Sequence, residues 1–371
     1  MARTPRREVL DPNEVTVVHA YNRTNRQSFL LGDDPCSGKN FDHRKVWIEQ
    51  WLEHFAAFFG IDLLSFAILS NHYHVMLRNR PDVVASWSDT EVARRWLMIC
   101  PKRKRKDGQP ATPNARELDS IRHHPQKLRQ IRTRLSDISW WMRLLDQRIA
   151  QRSNREDDVK GHFFEDRFHA VPLIDEAAVL ACAAYVDLNP IRAAIAETLQ
   201  ASDHTSVQRR IRSLQARQAL ASQRRAAQRR RDRLADSFLS PVDLNEAAGQ
   251  VGPQGSASSL GSASSLGSAS SLRCSDKGFL PIDEATYLEL LDWTARQKVR
   301  GKTGSTPPSV APILARLGLK PSVWFRLSSD FGRLFSTLAG MPERVDAARS
   351  HRTGRRFHLP RRTRELLQQA A

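Results

Sequence analysis

The sequence predicts an α+β protein, an antiparallel sheet with helices on one face, followed by a basic helix, a flexible linker and a small helical unit. Three observations predict it. Short runs with the β-branched content or period-two alternation of strands flank one helical run before residue 80. A polar Gly-Ser-Ala-Ser-Ser-Leu repeat then interrupts the chain from Gly255. Apolar residues at helical spacing return from Phe279 onward. The organisation expected is a basic N-terminal segment (1–14), an α+β unit (15–206), an Arg-rich helix (207–240), a linker (241–278), a small helical unit (279–345) and a basic tail (346–371).

Taken in order, Val15 to Tyr21 reads as a strand by its β-branched content. Asn22 to Asn40 carries Gly32, Asp33, Asp34, Pro35 and Gly38 and reads as loop. From Phe41 to Phe59, Val46, Trp47, Trp51, Leu52, Phe55 and Phe58 recur at helical spacing, and Gly60 stops the run. Ile61 to Leu69 and Asn71 to Leu77 are two further strands, a hairpin around Ser70-Asn71. Strand, helix, strand, strand opens a small α+β sandwich whose free sheet face would carry two histidines. Ser88 and Glu91 have capping-box spacing ahead of a helix over 88–99. Lys102 to Lys106 is a basic loop, either solvated or touching phosphate, and the adjacent His123-His124 pair diverges and has no assigned role. Leu128 to Ala150 reads as one long helix. Asp175 caps an Ala-rich helix that ends at or just before Asn189, because Pro190 follows. Val207 to Ala235 is expected to be an exposed basic helix, including Arg224-Arg225 and Arg229-Arg230-Arg231. The repeat ending at Leu272 is too short and polar to bury a core.

The chain has 371 residues and a formal charge of +18, with a pI near 10.5. Such a surface attracts polyanions, and nucleic acid is the usual one; Val207 to Ala235 would add affinity by counterion release. No apolar run is long enough to span a membrane, and Met1 to Asp11 does not read as a secretory signal. Cys36, Cys100, Cys182 and Cys274 are far apart, so they are expected as free thiols in a reducing, cytoplasmic compartment.

Ser70-Asn71-His72-Tyr73-His74-Val75-Met76-Leu77-Arg78 is the stretch with chemical content. On a strand, His72, His74, Met76 and Arg78 share one face and Tyr73, Val75 and Leu77 the other. Neutral imidazole is the commonest metal ligand, so two on one strand, backed by the Arg78 cation, make half a site. They read equally as polar residues on a wet face. Tyr185 and Asn189 are four apart, one turn of one helix face, where a phenol and an amide oxygen can approach the imidazoles. Alternatively, Tyr185 is a core aromatic and Asn189 a helix-terminal residue.

SNHYHVMLR, then GHFFEDRFHA from Gly161 to Ala170, then AYVDLNPIRAAIA from Ala184 to Ala196, resemble the REP-associated tyrosine transposases of the single-tyrosine HUH nuclease superfamily. HUH denotes His, a bulky residue, His; Tyr73 departs mildly from the aliphatic middle residue. The resemblance covers about residues 15–210. It implies a ferredoxin-like (split βαβ) core, Tyr185 as nucleophile, and His72, His74 and Asn189 as ligands of Mg²⁺ or Mn²⁺. It also implies single-stranded DNA with a hairpin of the repetitive extragenic palindrome type as substrate. Weaker similarity to a longer branch of that family lies in Ser202 to Ser206 and Tyr287 to Trp293.

The residue types suit that chemistry. A phenol has a pKa near 10 and needs activation. A divalent cation polarises a phosphate oxygen; imidazoles favour Mn²⁺ and availability favours Mg²⁺. Attack by Tyr185 gives a 5′-phosphotyrosine and a free 3′-hydroxyl, and a second 3′-hydroxyl can reverse the linkage. Arg167 and His169, with Phe163, Phe164 and Phe168, supply cations and stacking surfaces for unpaired bases, unless the aromatics are core and Arg167 pairs with Glu165 or Asp166. Arg192, just past the tyrosine helix, is a candidate phosphate contact. The reading is a metal-dependent single-stranded DNA endonuclease and strand transferase. The alternatives are a domesticated protein that grips palindromic DNA without cutting, and a phosphodiesterase that hydrolyses through water. Monomer and dimer both fit.

Overall fold

The computed structural model describes residues 10–221, 234–244, 272–300, 307–350 and 357–369. At its centre is a four-stranded antiparallel sheet of β1 (Val17–Arg23), β2 (Ile61–Ile68), β3 (His72–Asn79) and β4 (His169–Leu173), in the order β2-β3-β1-β4. That order, with a helical crossover between β1 and β2 and helices between β3 and β4, is the ferredoxin-like arrangement. The protein is α+β, as the sequence predicts.

Helix α1 (His43–Phe58) forms because Ile48, Leu52, Phe55 and Ala56 make one buried stripe. Gly60 ends it at a close approach: a Cβ there would meet Val84 Cγ2 at 2.0 Å. Helices α2 (Pro81–Ser86) and α3 (Asp89–Ile99) follow β3, and Ser88 caps α3 by accepting from Glu91 N at 3.2 Å. Helix α4 (Ala115–Arg122) has a full capping box from Asn114 and Glu117.

The long helix expected over 128–150 is two helices, α5 (Pro125–Leu135) and α6 (Ile138–Glu156). The break falls where Asp137 turns its carboxylate onto Ser139 N at 2.7 Å and caps α6. Helices α1 and α6 cover one face of the sheet, through Phe55, Phe59 and Trp141, whose rings are 5.2–5.3 Å apart.

The other face is not free. Helix α7 (Glu176–Asp187), capped by Asp175, lies across it, followed by the single turn α8 (Asn189–Arg192) with Pro190 in its first turn. Ten of α7's residues are buried, from Ala177 to Ala184 and at Val186 and Asp187, because small side chains let it sit close to the sheet. Helix α9 (Ser206–Ala221) packs beside β2. The exposed basic helix expected from Val207 starts buried: Val207, Arg210 and Ser213 are inaccessible, and Arg210 Nη2 donates to Leu64 O at 2.7 Å beside a register shift in β2. Arg224-Arg225 and Arg229–Arg231 lie outside the described residues, as does most of the Gly-Ser-Ala repeat.

Helices α10 (Glu284–Arg300), α11 (Ala311–Arg316), α12 (Pro321–Leu334), α13 (Pro342–Ser350) and α14 (Arg361–Gln368) build the C-terminal part. Helix α12 packs along α7, and the chain after it extends the edge strand: Ala339 N donates to Pro172 O at 2.9 Å and Ile174 N to Ala339 O at 3.0 Å. No helix among the described residues is long and apolar enough to cross a membrane.

Candidate functional site

The register of the sheet assembles the site. Tyr21 pairs with His74 and with His169, and His19 pairs with Met76 and Val171. Because strand side chains alternate, His19, Tyr21, His72, His74 and His169 all face α7. His72 and His74 have ring centroids 5.0 Å apart and perpendicular. His74 Nδ1 lies 2.9 Å from His19 Nε2, so one ring donates to the other. His72 Nδ1 lies 2.6 Å from Asn71 Oδ1.

Helix α7 lowers Tyr185 onto this layer. Its ring meets His74 edge-on at 5.4 Å and His19 at 5.8 Å, and it is half-buried. Arg192, seven residues later, swings back so that its Cζ sits 4.4 Å over the Tyr185 ring. Asn189 is one turn past Tyr185, on the same side of the helix, and buried. Helix α12 closes over the phenol: a Cβ at Gly332 would be 3.1 Å from Tyr185 Oη, and the Phe331 ring lies 5.9 Å from both Tyr185 and His19. Only glycine admits the hydroxyl there without displacement.

Of the residues singled out from sequence, then, His72, His74, Tyr185 and Arg192 come together. His169 is exposed and one ring removed, stacked on Tyr21 at 4.7 Å. Arg167 is exposed in the loop before β4. Phe163, Phe164 and Phe168 are buried rings. Arg78 does not back the histidines. It is buried against Asp62 at 2.6 Å and donates to the Lys277 and Gly278 carbonyls, which anchors the C-terminal segment.

The electrostatics favour uncharged imidazole. Burial holds His19 at about 3; burial and the Arg23 charge hold His72 at about 4; burial and the neighbouring histidines push His74 well below its ordinary value. Neutral imidazoles keep a lone pair for a ligand. His74 Nε2 and His19 Nδ1 are buried with no hydrogen-bond partner among the described residues. Arg192 Nη1 is also buried without one, and burial lowers that guanidinium's pKa. Orphaned buried polar atoms are rare in folded proteins, and three in one cluster mark a place shaped for something else.

By residue type, His74 and His72 have imidazole nitrogens and the buried Asn189 a carboxamide oxygen, donors of the kind a divalent cation takes. Among the described residues no group of three or more His, Cys, Asp or Glu converges on one point, so such a cation needs the amide to complete three protein ligands.

Sequence reasoning missed His19. The alternation Val17-x-His19-x-Tyr21 in the first strand carries the signal, but only the β1–β3 register shows which histidine it meets.

No protein-family model matches the chain, and no curated protein does. The solved structure described as a REP-associated tyrosine transposase bound to a REP hairpin is similar in part, with a TM-score of 0.31 and 11% identity over 57% of this chain and 86% of that one. At that score the likeness carries no weight for family or activity, and the site stands on its own geometry.

Proposed function

We propose that this protein is a tyrosine-nucleophile, metal-dependent endonuclease and strand transferase acting on single-stranded, hairpin-bearing DNA. The observation that carries the reading is Tyr185 lying edge-on to His74, whose Nε2 is buried and unpartnered, beneath the unpaired guanidinium nitrogen of Arg192. A phenol, a metal-competent imidazole and a desolvated cation in one place are what phosphoryl transfer to tyrosine requires. The three motifs that resemble REP-associated tyrosine transposases support the same reading, and the net charge of +18 suits a polyanionic substrate.

His72, His74 and Asn189 would hold the cation, Mn²⁺ or Mg²⁺. When bound, it supplies Lewis-acid polarisation of a non-bridging phosphate oxygen. The chain's own groups do the rest. Arg192 presents Nη1 to the scissile phosphate and offsets charge that grows in the transition state. Tyr185 Oη attacks phosphorus, the P–O3′ bond breaks, the phenolic proton is lost to solvent, and the departing 3′ oxygen takes one up. The product is a 5′-phosphotyrosine and a 3′-hydroxyl. His19 orients His74: if His74 Nε2 is the ligand, its Nδ1–H donates to His19 Nε2. Arg167 and His169 would contact the strand outside the reacting centre.

Helix α12 must shift for a strand to reach the phenol, since Gly332 lies against the hydroxyl. The test is cleavage of a single-stranded hairpin oligonucleotide with Mn²⁺. The reading requires nicking that disappears in Tyr185→Phe and in His74→Ala. Cleavage surviving Tyr185→Phe would instead favour hydrolysis through water. Tight hairpin binding with no cleavage would favour a DNA-gripping protein.

A further inference from the structure

A cavity of about 790 Å³ opens on the opposite face of the sheet from His74, between helix α6 and loop 161–168. Sites that hold small ligands run about 300–1,000 Å³. The backbone sets its position. Asn25 N donates to Phe163 O at 2.8 Å, Glu165 N donates to Arg23 O at 2.9 Å, and Thr24 pairs with Phe164. The loop is thereby tied to the end of β1, where Arg23 stands in register with His72. The cavity therefore sits at the same end of the sheet as the proposed cleavage site, across one layer of backbone.

Its chemistry is selective. Trp140 offers an aromatic wall, with Arg143 Cζ 4.9 Å from its ring, and the exposed Arg143 and Arg167 belong to the same lining. Asp146, Glu165 and Asp166 make the same lining rich in acceptors. Asp146 is fixed: Asn22 Nδ2 donates to its Oδ2 at 2.9 Å, and Tyr73 Oη donates to Oδ1. Asn22 Nδ2 also reaches Asp166 O at 3.2 Å, which ties loop to helix. Asp146 is half-buried, and Glu165 and Asp166 are exposed beside the two arginines, so one lining offers acceptors to the edge of a base and cations to its phosphate.

We propose that this cavity takes one unpaired guanine of the bound strand. The occupant rests on the DNA reading above, but not on Tyr185 chemistry. Carboxylates accept and do not donate. Guanine alone among the four bases presents a ring N–H beside an amino group, two donors side by side. Adenine and cytosine set an acceptor next to the amino group, and thymine flanks its N–H with two carbonyls. Stacking on Trp140 serves any base, so the preference comes from the carboxylates and the affinity from stacking and the arginines.

The test uses the full chain carrying Tyr185→Phe and an all-thymidine oligonucleotide with one central dG, titrated by fluorescence anisotropy. The same strand with inosine, adenine or thymine at that position is measured beside it. The dG strand binds about tenfold tighter than the all-thymidine strand, the factor one well-placed pair of base hydrogen bonds supplies. Inosine, which lacks the amino group, loses most of that gain. Glu165→Gln abolishes the preference, Arg143→Ala weakens all four strands alike, and both, at exposed positions, leave the melting temperature unchanged. Equal binding of all four strands, or a preference that survives Glu165→Gln, overturns the proposal. Adduct formation by the parent chain is scored separately. A guanine preference without any adduct supports the cavity and sinks the nuclease reading; an adduct without the preference does the reverse.

Discussion

Helix α7 carries two polar clusters two residues apart, and only one of them closes on itself. Around Asp187 both carboxylate oxygens are taken: Tyr287 Oη donates to Oδ2 at 2.6 Å, Ser65 Oγ lies 3.1 Å from Oδ1, and Ser206 Oγ donates to Oδ1 while also accepting from Phe66 N. Burial raises the Asp187 pKa and its three hydroxyl partners oppose that. Around Tyr185, by contrast, three buried nitrogens have no hydrogen-bond partner among the described residues. The same helix thus fastens the fold with one residue and exposes unspent chemistry with another. A saturated cluster does structural work, whereas an unsaturated one is shaped for a ligand.

That contrast can be broken or sharpened in order of expected effect. Asp187→Ala takes the acceptor from the buried Tyr287 hydroxyl, while Ser65 and Ser206 keep each other, and should destabilise the chain by about 2 kcal/mol. Urea unfolding measures it, and a loss under about 1 kcal/mol would show the cluster is not structural. His19→Ala should weaken Mn²⁺ binding about 10–100-fold, read as free Mn²⁺ by electron paramagnetic resonance, with a smaller stability change than Asp187→Ala. Unchanged Mn²⁺ affinity would remove His19 from the site.

The histidine layer also makes stability depend on pH. Folding lowers His19 from 6.5 to about 3 and His72 from 6.5 to about 4, so between those values the unfolded chain binds more protons. Their contribution is full above pH 6.5 and is lost as pH falls toward 4 and then 3. Each adds a slope of about 1.4 kcal/mol per pH unit within its window. Metal-free His19→Gln should flatten the curve; an unaltered slope would mean the ring is solvated. The smallest effect concerns Arg192. Arg192→Ala should reduce the salt dependence of single-strand binding by about one counterion, read from the slope of log affinity against log salt.

Much of this was readable in advance, for local reasons. Alternation alone put His72 and His74 on one face, and a four-residue spacing put Tyr185 and Asn189 on one side of a helix. Asp175 and Ser88 announced their helices by capping. What was hidden depends on partners distant in the chain. His19 becomes meaningful only opposite a strand 55 residues later. Arg78 looked like a cation behind the imidazoles, but Asp62 and the carbonyls of residues 277 and 278 claim it. The covering of the histidine face needed the Ala-rich surface of α7, and the closure over Tyr185 needed Gly332, a single small residue in a helix whose docking no local pattern specifies. The break in the helix at Ser136-Asp137 was a local signal, outweighed in reading by the continuous apolar stripe.

The central claim is that the Tyr185 oxygen becomes bonded to DNA. Purified protein mixed with a single-stranded hairpin and Mn²⁺, digested with protease and analysed by mass spectrometry, should yield one nucleotide-bearing peptide, the one containing Tyr185. Recovery of the modification on another residue, or of cleaved DNA with an unmodified Tyr185 peptide throughout the time course, contradicts it.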